Sequence, residues 1–478
     1  MLRLLRQIEA HAGAAPDATA ACRIENPDDR LSRRQLVELI HRIANVLRDS
    51  TPTDSTVMLC QPNQPRYIAA FLGTLAADRT LFPMAYDAAP PEYLAAAKRA
   101  SISAVITDAK TAGTFHPVFT ASIALPELSP DSVLLMLPEW QPAASGSPAL
   151  LLQSSGTTAE PKIARRDAAS LDAVTFNMIE ACRFGPTDHV LAAVPLCHSY
   201  GLEHGILAPV TAGNCVHVCE KFDLPAVLKT LRAGQITTLP GVPFMFDMLG
   251  QAEGISFPNL RRAYSAGGPL PRETFERFFA RFGVRIGQLY GATEIGSVSY
   301  NDPDHDGFDP ASVGRPMRGV SIRILEEDAG EGLVAVKAPS MFSGYIDSSE
   351  EPLVDDHWLT GDIGHLDARG ALTITGRQKL LIDIGGRKVN PLEVEAVIAR
   401  HPSVGACVVI PMQLSPTVQR LRAILVPARP DVEISIGDIR QFTQQHLSRY
   451  KVPRVFEVRQ SLPTSPAGKV LRRLVETP

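Results

Sequence analysis

The sequence predicts an α/β protein with a large N-terminal domain of α/β sheets, a small β-rich subdomain, and a smaller C-terminal α/β domain. Three observations lead there. Apolar strand-like runs alternate at short intervals with helical patterns from Ser32 to Tyr290, which argues for parallel sheets covered by helices. Near Gly307 the texture changes to short β-rich runs separated by Gly, Pro and Asp, continuing to Gly376 as a small barrel or sandwich. From Arg377 onward a separate small α/β pattern follows, so the boundaries fall at 1–376 and 377–478.

Taken in order, Ser32 is placed to cap a helix through Asp49, with Leu36, Ile40, Ile43 and Leu47 on one face. Thr56 to Cys60 reads as a strand, Gln64 to Ala77 as a helix, Thr80 to Met84 as extended, Glu92 to Arg99 as helical and Ile102 to Thr107 as extended. Thr111 to Pro148, rich in Pro, Ser and Ala, reads as an irregular connection to a second lobe. There Val190 to Val194 is strand-like, His204 to Ala212 helical, Asn214 to Val218 a strand and Leu224 to Arg232 a helix. Ile236 to Leu239 is extended, Pro243 to Leu249 helical, Arg262 to Ser265 extended, Pro271 to Phe282 helical and Val284 to Tyr290 extended. Ligands in such sheets sit at the carboxyl ends of strands. Gln153, Val194, Ser265 and Tyr290 end candidate strands, and this fold is expected to bring them to one edge. In the C-terminal part Leu392 to Arg400 and Ile436 to Leu447 read as helices, and Val404 to Pro411 and Leu421 to Pro427 as extended.

Composition excludes several classes. At 478 residues and 45% apolar content, a sizeable core can be buried. A formal net charge of −4 gives no electrostatic case for a nucleic-acid partner. No unbroken apolar run reaches membrane-spanning length, and Met1 to Ile8 lacks the apolar stretch of a signal peptide, so no membrane partner is expected. Seven scattered cysteines point to a reduced, cytoplasmic protein. Cys215, His217 and Cys219 alternate on one strand face, as metal ligands would. With no second ligand pair nearby in sequence, the half-buried strand is the preferred reading, because structural zinc takes four ligands.

The stretch from Leu150 to Lys162 is an apolar run that breaks into small hydroxyl residues around Gly156. Its backbone N–H groups and the hydroxyls of Ser154, Ser155, Thr157 and Thr158 can donate to phosphate oxygens, and Lys162 adds a positive charge. Walker A spacing is absent. Alone, such a turn is also an ordinary surface loop.

Further stretches follow in order. They are Ser265-Ala266-Gly267-Gly268-Pro269-Leu270 and Tyr290-Gly291-Ala292-Thr293-Glu294. Next come Thr360-Gly361-Asp362, Gly376-Arg377-Gln378-Lys379, and Gly385-Gly386-Arg387-Lys388 continuing to Glu395. The last is Pro463-Thr464-Ser465-Pro466-Ala467-Gly468-Lys469. Together with the Ser154 to Lys162 loop they resemble the adenylate-forming superfamily: acyl- and aryl-CoA ligases, stand-alone adenylation enzymes and luciferases. The motifs span most of the chain.

The resemblance implies a division of labour. Ser154, Ser155, Gly156, Thr157, Thr158 and Lys162 would hold the phosphates of ATP. Gly267, Gly268, Tyr290 and Gly291 would line the adenine site, Asp362 would serve the ribose, and Arg377 would assist at the ribose or phosphate side. Thr293 would donate to the α-phosphate, Glu294 would hold Mg²⁺, and Lys469 would bind the carboxylate and α-phosphate during adenylation. The mobile C-terminal domain would rotate about a hinge near Lys379, withdrawing Lys469 and presenting Gly385 and Gly386 to a pantetheine tunnel. His198, Tyr200, Gly201 and Gly291 would border the acyl pocket, with His198 near the carboxylate and the thiol entrance and Tyr200 along the acyl wall. Each segment also has a plainer reading: a tight turn for Gly267-Gly268, a core Tyr290, a solvated turn for Asp362, a structural His198, a hairpin for Gly385-Gly386 and a basic tail for Lys469.

The implied reaction activates a small aryl or medium acyl carboxylic acid as acyl-AMP and transfers it to the thiol of CoA or a carrier-protein phosphopantetheine. An enzyme loading only a carrier protein is the alternative, and a non-catalytic acyl-nucleotide binder the rival from another class. An α-amino acid is disfavoured because no Asp flanks His198, although Glu203 is close. Ala159 stands where the family's loop has Gly, Glu160 adds negative charge, Leu380 replaces an expected Asp, and Asp383 falls where Lys is common. These departures bear on loop geometry and the hinge.

Overall fold

The computed structural model describes residues 2–115, 119, 121–136, 149–154, 161–253, 256–328, 330–346, 353–377, 381–429 and 432–462. Ser155, Gly156, Thr157, Thr158, Ala159, Glu160, Lys379, Leu380 and Lys469 lie outside them, as does the side chain of Arg377. Two compact units result. One holds the described residues within Met1–Tyr86, Ala97–Ser154 and Ile163–Gln378, and the other those within Asp87–Ala96, Ser155–Lys162 and Lys379–Pro478.

In the first unit the helix Arg33–Ser50 starts as its sequence dictates. Ser32 accepts from Gln35 N while the Gln35 side chain accepts from Ser32 N, a reciprocal cap that contributes about 1 kcal/mol. Leu36, Ile40, Ile43 and Leu47 are buried along its inner face. The helix Arg3–Ala14 precedes it, with its first N–H groups tied to Asp172 at 2.9 Å.

A nine-stranded sheet runs Arg315–Pro316, Gly296–Asn301, Ile286–Ala292, Arg262–Ser265, Thr238–Gly241, His189–Ala192, Cys215–Val218, Thr19–Arg23, Arg30–Ser32. Its central pairings are parallel and its edges antiparallel. His189–Ala192 lies between two later strands, so strand order reverses there, the place where open α/β sheets leave a crevice for ligands. A seven-stranded sheet contains Leu150–Ser154 and Lys162–Arg166 at one end. An antiparallel five-stranded sheet built from Ser321–Asp328, Glu331–Lys337, Leu353–Val354, His357–Leu366 and Leu372–Arg377 forms the β-rich part.

Three expectations need correction. The span from Thr111 to Pro148 is not merely a connection: Ala121–Ala124 and Ser132–Met136 extend the seven-stranded sheet, and Ala121–Ala124, exposed at all four residues, shows no alternation of burial. Gln153 belongs to that sheet, whereas Ser265 and Tyr290 belong to the nine-stranded one and Val194 follows one of its strands, so the four strand ends do not share one edge. The helix expected at His204 begins at Ser199 and runs as Ser199–Leu202, a π turn Glu203–Leu207, and Ala208–Thr211. Pro209 has no N–H for Gly205, and the Ala208 N–H donates to Glu203 O across the wider turn.

The second unit contains a hairpin, Ile382–Ile384 with Arg387–Val389, then the helix Pro391–Ile398. The strands Val404–Ser415, Val418–Pro427 and Val455–Val458 form a sheet, accompanied by the helix Ile436–His446. Val394, Ile398, Val409, Leu425 and Ile439 fill its core. Among the described residues no helix is long and apolar enough to cross a membrane.

Candidate active site

Parallel pairing sets Gly241 beside Ser265 at the carboxyl ends of their strands, with Gln288 opposite Ser265 in the next strand. Gly267 follows with φ 82°, then Gly268, leaving bare backbone just past the sheet. Ser265 Oγ is buried without a hydrogen-bond partner among the described residues, and so is Ser154 Oγ at the end of Leu150–Ser154. Buried hydroxyls normally find partners, so these two atoms suit the polar groups of a ligand. Lys162 opens the strand that follows the hydroxyl-rich loop.

The Tyr290 to Glu294 segment leaves the same edge. Tyr290 OH donates to Asp362 Oδ2 at 2.6 Å, joining the nine-stranded sheet to the five-stranded one. The Tyr290 ring packs with Ile295, Val298, Val336 and Phe342 and is only 9% exposed, so it closes the wall of the site more than it projects from it. Asp362 is fixed in turn, its N–H donating to Thr360 Oγ1 at 3.0 Å, and it pairs in register with Arg377. A Cβ on Gly291 would collide with the Gly296 carbonyl oxygen, so the turn that presents Thr293 and Glu294 requires glycine there. Glu294 is buried and accepts from Tyr345 OH through Oε1 at 2.8 Å. A carboxylate is the donor type that takes Mg²⁺ beside nucleotide phosphates, so Glu294 could hold that ion.

Behind this turn lies a buried network that the sequence motifs do not announce. Arg166 Nη1 faces Glu203 Oε1 at 3.4 Å and the Thr293 carbonyl oxygen at 3.4 Å. Glu203 also accepts from Ser199 Oγ at 2.9 Å, Ser297 N at 3.0 Å and Ser297 Oγ at 2.7 Å. Burial lowers the pKa of Arg166, while the Glu203 charge opposes that shift. The pair thereby fixes the backbone on both sides of Glu294. Both oxygens of the Glu203 carboxylate are engaged within this network.

Tyr200 and Gly201 sit on the helix after His198, not in a strand-end loop. His198 is the residue before its first turn. A Cβ on Gly201 would strike the Pro195 carbonyl oxygen, so only glycine lets the helix begin this close to the strand exit. Tyr200 OH reaches Gly241 O at 3.0 Å and Tyr264 O at 3.3 Å, which places it across the ends of two strands. His204 contacts Tyr264 OH at 3.0 Å and Ser297 Oγ at 3.1 Å. Burial draws the His204 pKa down to about 3 and pushes the Tyr200 and Tyr264 phenols well up, so this wall is polar but uncharged.

Ser265, Gly267, Gly268, Tyr290, Gly291, Thr293, Glu294, Asp362, His198, Tyr200 and Gly201 all lie within the first unit, where Tyr290 meets Asp362 and Tyr200 crosses the strand end before Ser265. Arg166, His204, Tyr264, Ser297 and Tyr345 are additions that the motifs do not announce, although Tyr264 directly precedes the Ser265 stretch and Arg166, His204 and Ser297 lie three or four residues past Lys162, Gly201 and Glu294. In the second unit Gly385 and Gly386, at φ 64° and 84°, form the tight turn of the hairpin, with Gly386 N donating to Asp383 Oδ1 at 2.7 Å. Asp383 also pairs with Lys388 at 2.9 Å, so the departure at this position is accommodated by a local ion pair.

A family model described as AMP-binding enzyme matches residues 8–346, and one for the AMP-binding enzyme C-terminal domain matches 393–469. A sulfoacetate–CoA ligase of Cupriavidus necator is 32% identical over 437 residues, covering 87% of this chain and 80% of its own. An indoleacetate–CoA ligase of Aromatoleum aromaticum is 27% identical over 509 residues, covering 98% and 96%. In fold, the chain is similar to an o-succinylbenzoate CoA synthetase from Bacillus subtilis, with TM-score 0.86, 22% identity, and coverage of 100% and 98%.

Proposed function

The chain belongs to the AMP-binding enzyme family, and on that premise we propose that it activates a small aryl or medium acyl carboxylic acid with ATP and passes the acyl group to the thiol of CoA. It acts as an AMP-forming acid–thiol ligase. The observation that carries this reading beyond family membership is the Tyr290–Asp362 bond, which joins the adenine-side and ribose-side motifs into one wall. Glu294 would hold Mg²⁺, which when bound neutralises phosphate charge. Ser154, Ser155, Gly156, Thr157, Thr158 and Lys162 would cradle the phosphates, and Gly267, Gly268 and Gly291 would accept the adenine. Asp362 and Arg377 would hold the ribose. Thr293 would donate to the phosphate that becomes AMP. His198, Tyr200 and Gly201 would border the acid.

Joining two anions requires positive charge at the point of attack, and Lys469 is assigned that part. Gly385 and Gly386 are assigned to the thiol passage, and rotation of residues 377–478 near Lys379 to the change of half-reaction. CoA is the acceptor named for both relatives above, and neither calls for a carrier protein. The uncharged wall of Tyr200, Tyr264 and His204 and the engaged Glu203 favour an acid without an α-amino group.

The test is ATP–pyrophosphate exchange with a panel of aryl, acyl and α-amino acids, followed by thioester formation. Mg²⁺-dependent exchange with an aryl or medium acyl acid, and its CoA thioester as product, is the expected result. ATP binding without exchange on any acid would instead establish a nucleotide binder. Exchange confined to α-amino acids would overturn the substrate class.

A further inference from the structure

Cys215 and His217 are two residues apart on one strand, so their side chains leave the same face. The parallel register sets His189 opposite Cys215 and Cys22 opposite His217. In sequence the pair has no second pair of ligands nearby; in space, the strands on either side supply one. Cys219, the third member of the sequence pattern, turns away and donates to Lys221 O at 2.8 Å.

Contacts within the group are close. Cys22 Sγ lies 3.3 Å from His217 Nδ1, Cys215 Sγ 3.6 Å from His217 Nε2, and His189 Nδ1 2.9 Å from His217 Nε2. One ligand atom each from Cys22, Cys215 and His217 fits within 4.8 Å of the others. A tetrahedral centre with metal–nitrogen bonds of about 2.0–2.1 Å and metal–sulfur bonds of about 2.3 Å needs ligands about 3.3–3.8 Å apart. Cys22 faces one nitrogen of His217 while Cys215 and His189 face the other, so the imidazole must turn for the four donors to surround one ion, with His189 joining the three that already lie within reach.

We propose that Cys22, Cys215, His217 and His189 bind a zinc-type divalent cation through two sulfurs and two nitrogens. The donor set is the one that tetrahedral zinc prefers over hard, oxygen-seeking cations. Two thiolates offset the charge of the ion, which suits a place where Cys215 and His217 are buried. On binding, the two thiols release their protons to solvent, the imidazoles ligate in their neutral form, and the His189–His217 hydrogen bond gives way to the metal. His189 and Cys215 are the first residues of their strands, whereas His198 and Tyr200 follow the carboxyl end of the same His189–Ala192 strand. The cation would thus tie three strands together away from the reacting groups, as a structural ligand.

The full-length protein, reduced and stripped with a chelator, is titrated with Zn²⁺ alone and with Co²⁺ alone. One equivalent bound per chain, a thiolate-to-cobalt charge-transfer band, tetrahedral ligand-field absorption and a Zn²⁺-dependent rise in Tm are expected. The Cys22→Ser/Cys215→Ser variant should lose the band and the Tm rise while keeping ATP–pyrophosphate exchange. Absence of the band in the reduced wild-type protein overturns the proposal, as does an undiminished band in the variant. If the variant does not fold, alkylation of the wild type decides: Zn²⁺ must shield Cys22 and Cys215, and equal labelling with and without the ion sinks the idea.

Discussion

His204 and His217 are both buried in the first unit, 1% and 4% exposed, yet their neighbours commit them to different ends. His204 has one fixed hydroxyl on each ring nitrogen, Tyr264 on one side and Ser297 on the other, in a network anchored by Arg166 and Glu203. His217 touches two thiols and a second imidazole. The first arrangement is closed: each group holds another, and the whole fixes the Thr293–Glu294 turn. The second consists of groups that can exchange a proton for a cation. Burial alone does not decide what a histidine does; the chemistry of its partners does.

The largest expected effect breaks the closed network. Glu203→Ala leaves the Arg166 guanidinium buried without its counter-charge, and urea unfolding should show a loss of about 3–5 kcal/mol. Glu203→Met combined with Arg166→Met should recover much of that stability, since no buried charge remains, while exchange activity stays low because the turn has lost its anchor. A loss within experimental scatter for Glu203→Ala would show that the pair is solvated in solution.

Lys469→Ala separates rate from stability. Pyrophosphate exchange should fall about 10²–10³-fold with unchanged Tm, the loss expected from removing one oriented charge. Exchange near the wild-type rate would remove Lys469 from adenylation.

Acid sharpens the contrast between the histidines. His204 is held neutral in the fold down to about pH 3, whereas in the unfolded chain it protonates near its ordinary value. The unfolded state therefore binds the extra proton first, and stability must drop as pH falls from about 6.5 toward 3, by roughly 1.4 kcal/mol per pH unit from this group. His204→Asn should flatten that part of the stability–pH curve. An identical slope in both proteins would contradict the buried neutral assignment.

The smallest effect belongs to the wall. Tyr290→Phe deletes one hydrogen bond to the Asp362 carboxylate, a change of about 1.5 kcal/mol, read as roughly a tenfold rise in KM for ATP. A change in kcat with constant KM would place Tyr290 in the chemistry instead.

Much of the fold was legible where the determinants are local. Leu224–Arg232 begins where Asp223 caps it, and Arg262–Ser265 occupies the span its apolar pattern marks. The motif residues were legible because strand exits, glycines and carboxylates cluster in short stretches. What joins them was not. Tyr290 meets Asp362, and Arg166 meets Glu203, through packing of separate elements that no periodicity encodes. The early helix start at Ser199 depends on Gly201 seating against Pro195, a tertiary contact. The Cys–His group escaped for the same reason: its pairs come together only through parallel strand register.

The wide turn at Glu203–Leu207 carries one residue more than a regular helix would need there, which offsets the two flanking helical pieces by about 100°. Ser199–Leu202 can therefore point Tyr200 at the strand ends while Ala208–Thr211 keeps its own buried phase. Removing a single residue from this turn would straighten the rod and swing the tyrosine around the axis, so the place Tyr200 takes against the strand ends is written in helical phase as well as in side-chain identity.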